Sequence, residues 1–355
     1  MEIQLIHMVR KVKSMKNKTA LIIRYGAYGD MVMITPVIKR LKELGYKVII
    51  NTSKRGMEIL QHDTNIDKMI PYNDESVPID KLNEHWKKVK EKIKPDWFCN
   101  FTESIECNVA LHPIQPMYIY PKEERYERCN RNYYDVTEEW AGLEGCDKIP
   151  SLYFTKTEKE DAKYILKDGK INILWAMSGS GRQKVYPWVD YVMGELFLKY
   201  KEKIHIITIG DEKCQLLESL IDRNITNLSG KITMRMSMCL TGLVDLVISP
   251  DTGVLHASGC YETPKIALLG HTTGENITKY FKNAYPIEAN CACAPCFRLI
   301  YDHGIQCPVE PVTKAAWCMA EGISPEIVFN KIDEVIQMRC LDGKSSNIPK
   351  EMSSV

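Results

Sequence analysis

The segment Ser249–Ala257 brings together an acid, a hydroxyl, a glycine and a histidine after an apolar run. A helical pattern opens here, so the backbone amides of Thr252 and Gly253 sit at a predicted helix start, a geometry that suits a diphosphate. His256 falls on the turn of that helix nearest the site, where it could neutralise phosphate charge. A structural role for this lone histidine is the competing interpretation. The pattern predicts an anion site at the Thr252 and Gly253 amides, directly after Asp251.

The segment 176–184 has the composition of a second phosphate-binding loop. It follows another apolar run and combines Ser178, Ser180 and Lys184 with two glycines. Backbone amides, hydroxyls and a lysine charge are groups that hold phosphates in proteins. A flexible surface loop of the same composition is the alternative interpretation.

A third loop carries Asp30 after Gly26 and Gly29, and these glycines allow positive φ angles and close backbone approach. Asp30 is either a helix N-cap or a catalytic carboxylate. The two roles conflict, because a helix N-terminus lowers the pKa of a carboxylate and weakens it as a base. Thr35 and Pro36 have the residue types of a second N-cap and first-turn pair. A helix that begins there would leave Asp30 free of capping.

The loop around Asp30 does not match the dinucleotide-binding fingerprint, which has three glycines and an acid about 20 residues further on. The second predicted strand ends instead in Asn51. The sequence therefore disfavours a dehydrogenase.

The elements that must position these loops alternate along the chain between short apolar runs and amphipathic helical stretches. Such alternation is typical of an α/β fold with parallel sheets covered by helices. Ligands of these sheets bind beyond the carboxyl ends of the strands, where all three loops lie. Strands are predicted at Ala20–Arg24, Lys47–Asn51, Lys68–Pro71, Trp97–Asn100, Ile171–Ala176, Ile204–Ile209, Leu246–Ser249 and Lys265–Leu269, and helices from Ile34, at Ile79–Lys94 and at Pro325–Gln337.

The alternation weakens over residues 123–170 and then restarts, which predicts two Rossmann-like domains. The length of 355 residues agrees with two domains of ordinary size. We expect a basic N-terminal extension at 1–18, domains at 19–150 and 151–323, a C-terminal helix at 324–341 and a disordered tail at 342–355.

Charge and hydropathy exclude some partners. The formal net charge of +1 provides no overall basic field, so no nucleic-acid partner is expected. No apolar run reaches the length of about 18 residues that a membrane span needs. The N-terminal basic residues predict a frayed extension or a contact with anionic lipid headgroups. A cleavable signal peptide is disfavoured, because the apolar stretch after them is short.

The chain contains 13 cysteines, of which eight are scattered without paired spacing. Those eight fit buried apolar thiols in a reducing cytoplasm. The remaining five crowd together: Cys293 and Cys296 have a metal-knuckle spacing, and Cys307 and Cys318 would complete a tetrathiolate for structural zinc or iron. Cys291 is spare. Free thiols are the alternative to a metal site.

Taken together, these segments resemble the ADP-heptose glycosyltransferases, the lipopolysaccharide heptosyltransferase family with the GT-B fold. The resemblance runs from about Thr19 to Gln337, and the order and strand–loop–helix context of the motifs agree. The motifs that carry it are Arg24-Tyr25-Gly26-Ala27-Tyr28-Gly29-Asp30 followed by Thr35-Pro36, Gly181 through Trp188 around Lys184, Gly210-Asp211-Glu212, and Asp251-Thr252-Gly253 with His256.

The resemblance implies glycosyltransferase family 9 and two Rossmann-like domains facing across a cleft, the first on the acceptor side and the second binding the nucleotide-sugar. It implies inverting transfer of a heptose or related sugar from an ADP-sugar to a hydroxyl of a lipid-anchored lipopolysaccharide-core glycan. The enzyme would be cytoplasmic, in peripheral contact with the inner face of the inner membrane, and would need no catalytic metal.

The resemblance also assigns roles to single residues. Asp30 is the base for the acceptor hydroxyl, and Glu212 binds the nucleotide ribose, with an ordinary first-turn helix acid as its alternative. Which of Ser178 and Ser180 contacts phosphate stays open, because the family varies there. The other residues implied at the donor phosphates are Lys184, Asp251, Thr252, Gly253 and His256.

Two other functions remain open. The same enzyme class could act on a protein or another acceptor with a different nucleotide-sugar; a related branch that glycosylates autotransporter proteins has an iron-binding cysteine finger. A non-catalytic sugar-nucleotide-binding protein is the second, but such a binder needs no base at Asp30. Finally, Arg125, Arg128 and Arg131 either face an anionic acceptor or form a solvated helix face.

Overall fold

A computed structural model describes residues 18–73, 77, 79–106, 116–220, 222–299 and 307–338 of the chain. The predicted extension before Lys18 and the predicted tail at 342–355 lie outside these ranges. The chain divides into two compact units. Unit 1 holds Ile105 and the described residues before it, together with Tyr134–Tyr153; unit 2 holds Glu106–Tyr133 and the described residues from Phe154 onward. The domain limits drawn from the sequence at residues 150 and 323 stay predictions.

Strands and helices alternate along most of the chain, as the apolar pattern predicts. The strands are β1 (Thr19–Arg24), β2 (Lys47–Thr52), β3 (Lys68–Pro71), β4 (Trp97–Asn100), β5 (Ile171–Ala176), β6 (Ile204–Ile209), β7 (Ile225–Asn227), β8 (Leu246–Pro250), β9 (Lys265–Leu269) and β10 (Ala284–Glu288). The helices are α1 (Tyr28–Met33), α2 (Thr35–Glu43), α3 (Lys54–Leu60), α4 (Leu82–Ile93), α5 (Lys122–Cys129), α6 (Tyr133–Ala141), α7 (Lys156–Lys163), α8 (Val189–Tyr200), α9 (Met234–Leu240), α10 (Gly253–Ser258), α11 (Gly274–Ile277), α12 (Trp317–Ala320) and α13 (Pro325–Ile336).

Unit 1 contains a parallel sheet in the order β3-β2-β1-β4. The central strand β1 pairs Ile22 with Ile50 of β2 on one side and with Cys99 of β4 on the other. The chain runs outward from β1 to β3 and then returns to the opposite side of β1. The loops after β1 and β4 therefore flank a topological switch point, where parallel sheets bind ligands.

Unit 2 contains a parallel sheet in the order β10-β9-β8-β5-β6-β7. Its switch point lies between β5 and β8, which pair through Leu174 and Val247. Trp175 of β5 is fully buried in one apolar cluster with Leu196 of α8 and Val335 of α13. The core thus holds β5 and β8 rigidly, and their following loops lie side by side.

The predicted α/β fold with parallel sheets is confirmed, and each predicted strand occurs within one residue of its expected limits. Two strands were missed, β7 and β10, and both lie at sheet edges. β7 has three half-buried residues and gives almost no apolar signal. β10 contains Pro286, which is tolerated in an edge strand but argues against a strand in the sequence.

Candidate functional site

Asp251 begins the loop after β8, and three basic side chains surround its carboxylate. Lys184 Nζ lies 3.1 Å from Oδ2, and His256 Nε2 lies 3.4 Å from Oδ1. His271 Nε2 lies 3.5 Å from Oδ2. All four residues are buried, and we call them the Asp251 cluster. A buried carboxylate needs such partners, because transfer of an unpaired charge from water is costly.

Electrostatics fix the charges of the Asp251 cluster. Burial alone would raise the pKa of Asp251, but the Lys184 charge and the His256 hydrogen bond hold that pKa well below its usual range. Burial lowers the pKa of His271 to about 3, and Lys184 acts in the same direction. The carboxylate is therefore ionised and the His271 ring is neutral.

Gly179 brings the loop after β5 against the loop after β8. A Cβ atom at this position would lie 2.7 Å from Cδ of Lys184 and 2.9 Å from Cγ2 of Thr252. Contacts that short are not available to a side chain, so only glycine lets the two loops meet. The structure thus joins Lys184 to the Asp251–Gly253 segment.

The two serines of this loop differ in their surroundings. The hydroxyl of Ser178 is half-buried and lies 2.8 Å from the Cys214 thiol, whereas Ser180 is exposed. Ser178 therefore has a protein partner and Ser180 is open to solvent, and both stay candidates for a phosphate contact.

The start of α10 presents Thr252 and Gly253. Thr252 precedes the helix and shares a hydroxyl–hydroxyl hydrogen bond of 2.9 Å with Ser249. The His256 ring contacts the rings of Tyr133 and Phe281, at centroid distances of 6.4 and 6.1 Å. These aromatic contacts orient the imidazole so that its Nε2 faces Asp251.

Glu212 follows β6 and is exposed in the first residue of a 3₁₀ turn, Glu212–Leu217. The neighbouring Asp211 does the capping, since its carboxylate accepts hydrogen bonds from the Lys213 and Cys214 amides at 3.0 and 3.2 Å. Glu212 is therefore a first-turn residue, as its alternative interpretation predicts. Its carboxylate does not cap the turn and stays a candidate for a ribose contact.

Asp30 lies in the first turn of α1, in unit 1. Arg24 Nη2 lies 3.0 Å from Oδ1, and the Ala27 amide donates to Oδ2 at 2.7 Å. Asp30 is not the N-cap, a position that Ala27 occupies. The expectation that the helix starts at Thr35 and frees Asp30 is wrong, because the chain forms two successive helices and Asp30 binds the start of the first.

The helix that follows has its own start signal. Ile34 is its cap, Pro36 lies in its first turn, and Thr35 donates a hydrogen bond of 2.8 Å to the Val32 carbonyl. Pro36 therefore lies in a first turn, as predicted, but the N-cap of α2 is Ile34 and not Thr35, and this helix start has no effect on Asp30.

Gly26 fixes the shape of the loop before Asp30. Its φ is +134°, and a Cβ there would lie 2.5 Å from Asp30 Oδ2. Gly29 is buried in α1. Arg24, itself 1% exposed, also donates to the Phe101 carbonyl after β4. The carboxylate is thus held at the switch point of its sheet by a buried guanidinium, a partner that the sequence analysis missed.

The cysteine segment forms a separate feature of unit 2. Cys293, Cys296, Cys307 and Cys318 line one cavity of about 230 Å³ together with Lys122, Arg125 and Arg298. Cys291 lies beside it, with its Sγ 3.6 Å from that of Cys293. Burial and the neighbouring thiols raise the pKa of Cys293 to about 12.

The four cysteines supply the sulfur ligands that a zinc or iron site needs, but their side chains are not positioned around a single ion. The four predicted cysteines share the cavity, and its lining includes three cations and no carboxylate. Within the described ranges, however, no three His, Cys, Asp or Glu side chains are placed to hold a metal ion.

Arg125 corrects one expectation. It is buried, and its Nε donates a hydrogen bond of 3.0 Å to the Cys296 carbonyl. It is therefore part of the protein interior and not of a solvated helix face. Arg128 is exposed and pairs with Glu124 on α5, as a solvated helix face would. Arg125 is buried because it binds the cysteine segment, so the tertiary fold decides which of these two neighbouring arginines is exposed.

His271 is the residue of the Asp251 cluster that the sequence analysis missed. It follows β9 by two residues, so the rule that places ligand groups after strands could have found it.

Among the helices in the described ranges, none is both long and apolar enough to cross a bilayer.

Comparisons with known proteins agree with this geometry. The model of glycosyltransferase family 9 (heptosyltransferase) matches residues 122–302. Lipooligosaccharide heptosyltransferase 2 of Campylobacter jejuni serotype O:6 is 23% identical over 321 residues, which cover 86% of this chain and 96% of that protein.

Two solved structures show the same fold. The ADP-heptose LPS heptosyltransferase II of E. coli has a TM-score of 0.60 at 16% identity, covering 90% of this chain and 99% of that one. The iron-containing dodecameric glycosyltransferase TibC of enterotoxigenic E. coli H10407 has a TM-score of 0.58 at 12% identity, covering 91% and 77%. The fold is therefore of the GT-B type, with two Rossmann-like units.

Proposed function

The chain belongs to glycosyltransferase family 9, the heptosyltransferase family, and on that premise we propose that it transfers a heptose or related sugar from an ADP-sugar. The acceptor is a hydroxyl of a lipopolysaccharide-core glycan, and the anomeric centre is inverted. The names of the Campylobacter jejuni and E. coli relatives support this choice of donor and acceptor. The observation that carries the proposal is the Asp251 cluster, a buried and charge-balanced group where two loops meet.

Unit 2 would hold the donor. Lys184 supplies a fixed positive charge, His256 supplies an imidazole, and the Thr252 and Gly253 amides complete a phosphate site. Ser178 or Ser180 adds a hydroxyl, and Glu212 accepts hydrogen bonds from the ribose. Asp251 does not contact phosphate in this arrangement. Its carboxylate pairs with Lys184 and His256 and so holds both side chains in position. Charge developing on the departing diphosphate is thereby stabilised by groups that are already oriented.

Unit 1 would supply the base. The acceptor oxygen forms a bond to the anomeric carbon while the bond from that carbon to the diphosphate oxygen breaks, and ADP leaves with the electron pair. The acceptor proton passes to the Asp30 carboxylate. The acceptor hydroxyl becomes acidic only as it bonds to an oxocarbenium-like carbon, so a carboxylate paired with Arg24 is a sufficient base. In-line attack gives inversion.

A thermal-shift panel of nucleotide-sugars and nucleotides tests the donor assignment. A ligand at about 100 times its Kd adds roughly 2.7 kcal/mol to the free energy of unfolding. We expect ADP-heptose and ADP to raise the Tm, and UDP- and GDP-sugars to leave it unchanged. Equal stabilisation by UDP-sugars would remove ADP-sugar from the proposal.

The cysteine cavity carries a separate proposal, that Cys293, Cys296, Cys307 and Cys318 hold a structural zinc or iron ion. The four thiols share one cavity, and its three cations would balance the negative charge of a tetrathiolate. The side chains must turn toward one another to bind, and the metal would stabilise unit 2 and take no part in transfer. The iron named for TibC supports the idea.

Elemental analysis of protein purified without added metal tests this second proposal. We expect about one zinc or iron per chain, lost in Cys293→Ser and Cys296→Ser and kept in Cys239→Ala, a buried cysteine outside the cavity. Metal-free protein whose cavity thiols react freely with a thiol reagent would overturn it.

We also propose that the enzyme contacts anionic lipid, which would bring a lipid-anchored acceptor to it. The basic extension expected to make this contact lies outside the described residues, and α4 of unit 1 offers a second basic surface. No residue of α4 is buried, and Lys87, Lys88, Lys90 and Lys92 are exposed on it. Each lysine near an anionic surface contributes about 1 kcal/mol. Sedimentation with phosphatidylglycerol vesicles should retain the wild type and release a variant with these lysines changed to glutamine. Binding that survives this change would contradict the assigned surface.

A further inference from the structure

His271 has an unusual environment for a buried histidine. It follows Gly270 at the carboxyl end of β9, its side chain is 1% exposed, and its Nε2 lies 3.5 Å from Asp251 Oδ2. Among the described residues, neither of its ring nitrogens has a hydrogen-bond partner. Buried polar groups in native proteins are normally bonded, and an exception calls for a ligand or another specific reason.

His205 shows how unit 2 treats a histidine with a structural role. It is also fully buried, but its Nδ1 lies 2.9 Å from Asn172 Oδ1 and its Nε2 lies 2.8 Å from Thr226 Oγ1. Both nitrogens of His205 are thus satisfied by the protein. The contrast indicates that the His271 ring is kept for a group that the protein itself does not provide.

The backbone of His271 is fixed beside the phosphate loop. The Phe297 amide donates to the His271 carbonyl at 2.8 Å. A Cβ at Gly270 would lie 3.0 Å from the Gln183 carbonyl oxygen, so this strand end packs directly on the turn that carries Lys184. The ring therefore occupies a set position next to Lys184 and Asp251.

The charges around the ring explain what kind of ligand fits. The charged side chains that face His271 are Asp251 and Lys184, and their charges cancel; His256 approaches the same carboxylate from the Oδ1 side. A diphosphate carries a negative charge on each phosphoryl group. Lys184 is already paired with Asp251, so an incoming diphosphate leaves excess negative charge, and an imidazole is the side chain that can gain a compensating proton near neutral pH.

We propose that His271 is a second imidazole ligand of the donor diphosphate, which takes up a proton as the diphosphate binds and shares its charge with Lys184 and His256. This assignment rests on the proposed function, because it requires the diphosphate to bind at the Asp251 cluster. It makes His271 a binding residue for the donor and for the ADP product. It also predicts that ADP binds more tightly as the pH falls.

Calorimetry separates this role from a space-filling one. ADP is titrated into the protein at about pH 7, where an imidazole can be protonated and most of the ADP is fully ionised because the second pKa of a phosphate is near 6. The observed enthalpy is compared in two buffers of different ionisation enthalpy, which reports the protons taken up on binding. We expect net proton uptake by the wild type. We expect uptake to fall sharply in His271→Gln and to persist in His205→Gln, the matched buried control.

Affinity gives the second readout. Loss of a hydrogen bond to a charged group should weaken ADP binding roughly tenfold or more in His271→Gln, while adenosine, which has no phosphate, should bind both proteins equally. ADP binding without proton uptake, or with equal uptake and affinity in His271→Gln, overturns the role of His271 and leaves the proposed function intact. Failure of the wild type to bind ADP at all would instead remove the proposed donor site.

Discussion

Lys184 Nζ lies 3.1 Å from Asp251 Oδ2, with both side chains buried, although the two residues come from loops after different strands. The pair exists because β5 and β8 are neighbours in the sheet and because Gly179 lets their loops touch. It is the contact on which the proposed phosphate site depends, and the first prediction concerns it.

Replacing Lys184 with Met should remove donor binding and also destabilise unit 2. The change leaves the Asp251 charge buried without its closest partner, and breaking such a pair costs about 3 kcal/mol or more in the free energy of unfolding. The double variant Lys184→Met, Asp251→Asn removes both charges, so it should regain much of that stability without regaining ADP binding. Denaturant unfolding and calorimetry with ADP give the two quantities. Independent, additive effects on stability would contradict the pairing.

Gly179→Ala should abolish donor binding with little loss of stability elsewhere. Its added Cβ collides with Lys184 and Thr252 and forces the loops after β5 and β8 apart. Gly194→Ala is the matched control, because nothing lies within 4 Å of a Cβ there and alanine favours the helix α8. The measurement is the Tm shift on adding ADP to each variant. An unchanged shift in Gly179→Ala would show that the loop contact is unimportant for the donor.

Asp30→Asn should lower kcat and leave ADP affinity unchanged. A general base contributes roughly 10²- to 10⁴-fold to rate, and the amide keeps the shape of the side chain near Arg24. Asp63→Asn, a buried carboxylate of unit 1 that binds Asn65, serves as the control. Steady-state turnover with an ADP-sugar and a glycan acceptor checks the effect. Wild-type turnover by the Asp30 variant would eliminate the assigned base.

Unit 2 should lose stability in acid through Glu158. Burial acts to raise the pKa of this carboxyl, but its pairing with the buried Arg235 outweighs that and lowers the pKa from 4.5 to about 2. A group with a lowered folded pKa stabilises the protein above its unfolded pKa and loses this effect as the pH falls through the folded value. We expect the free energy of unfolding to fall between pH 4.5 and 2, and to fall less in Glu158→Gln. Equal acid sensitivity of the two proteins would contradict the role of this pair.

The sequence by itself determined the class of fold and the loops that matter. Apolar runs of four to six residues separated by amphipathic stretches leave few solutions other than parallel sheets covered by helices, and the carboxyl ends of those strands then locate Asp30, Lys184 and Asp251. These are local patterns, so they can be read without knowing which strands become neighbours. The weak edge strand β7 shows the limit of such signals.

Only the tertiary structure decided which groups share a site. Pairing of β8 with β5 and β9 brings Lys184 and His271 to Asp251, and burial there makes charge compensation obligatory. The same is true of Arg24, whose position on Asp30 requires the loop shape set by Gly26. Strand order and burial are long-range properties, because they depend on the whole core and not on the residues next to the site.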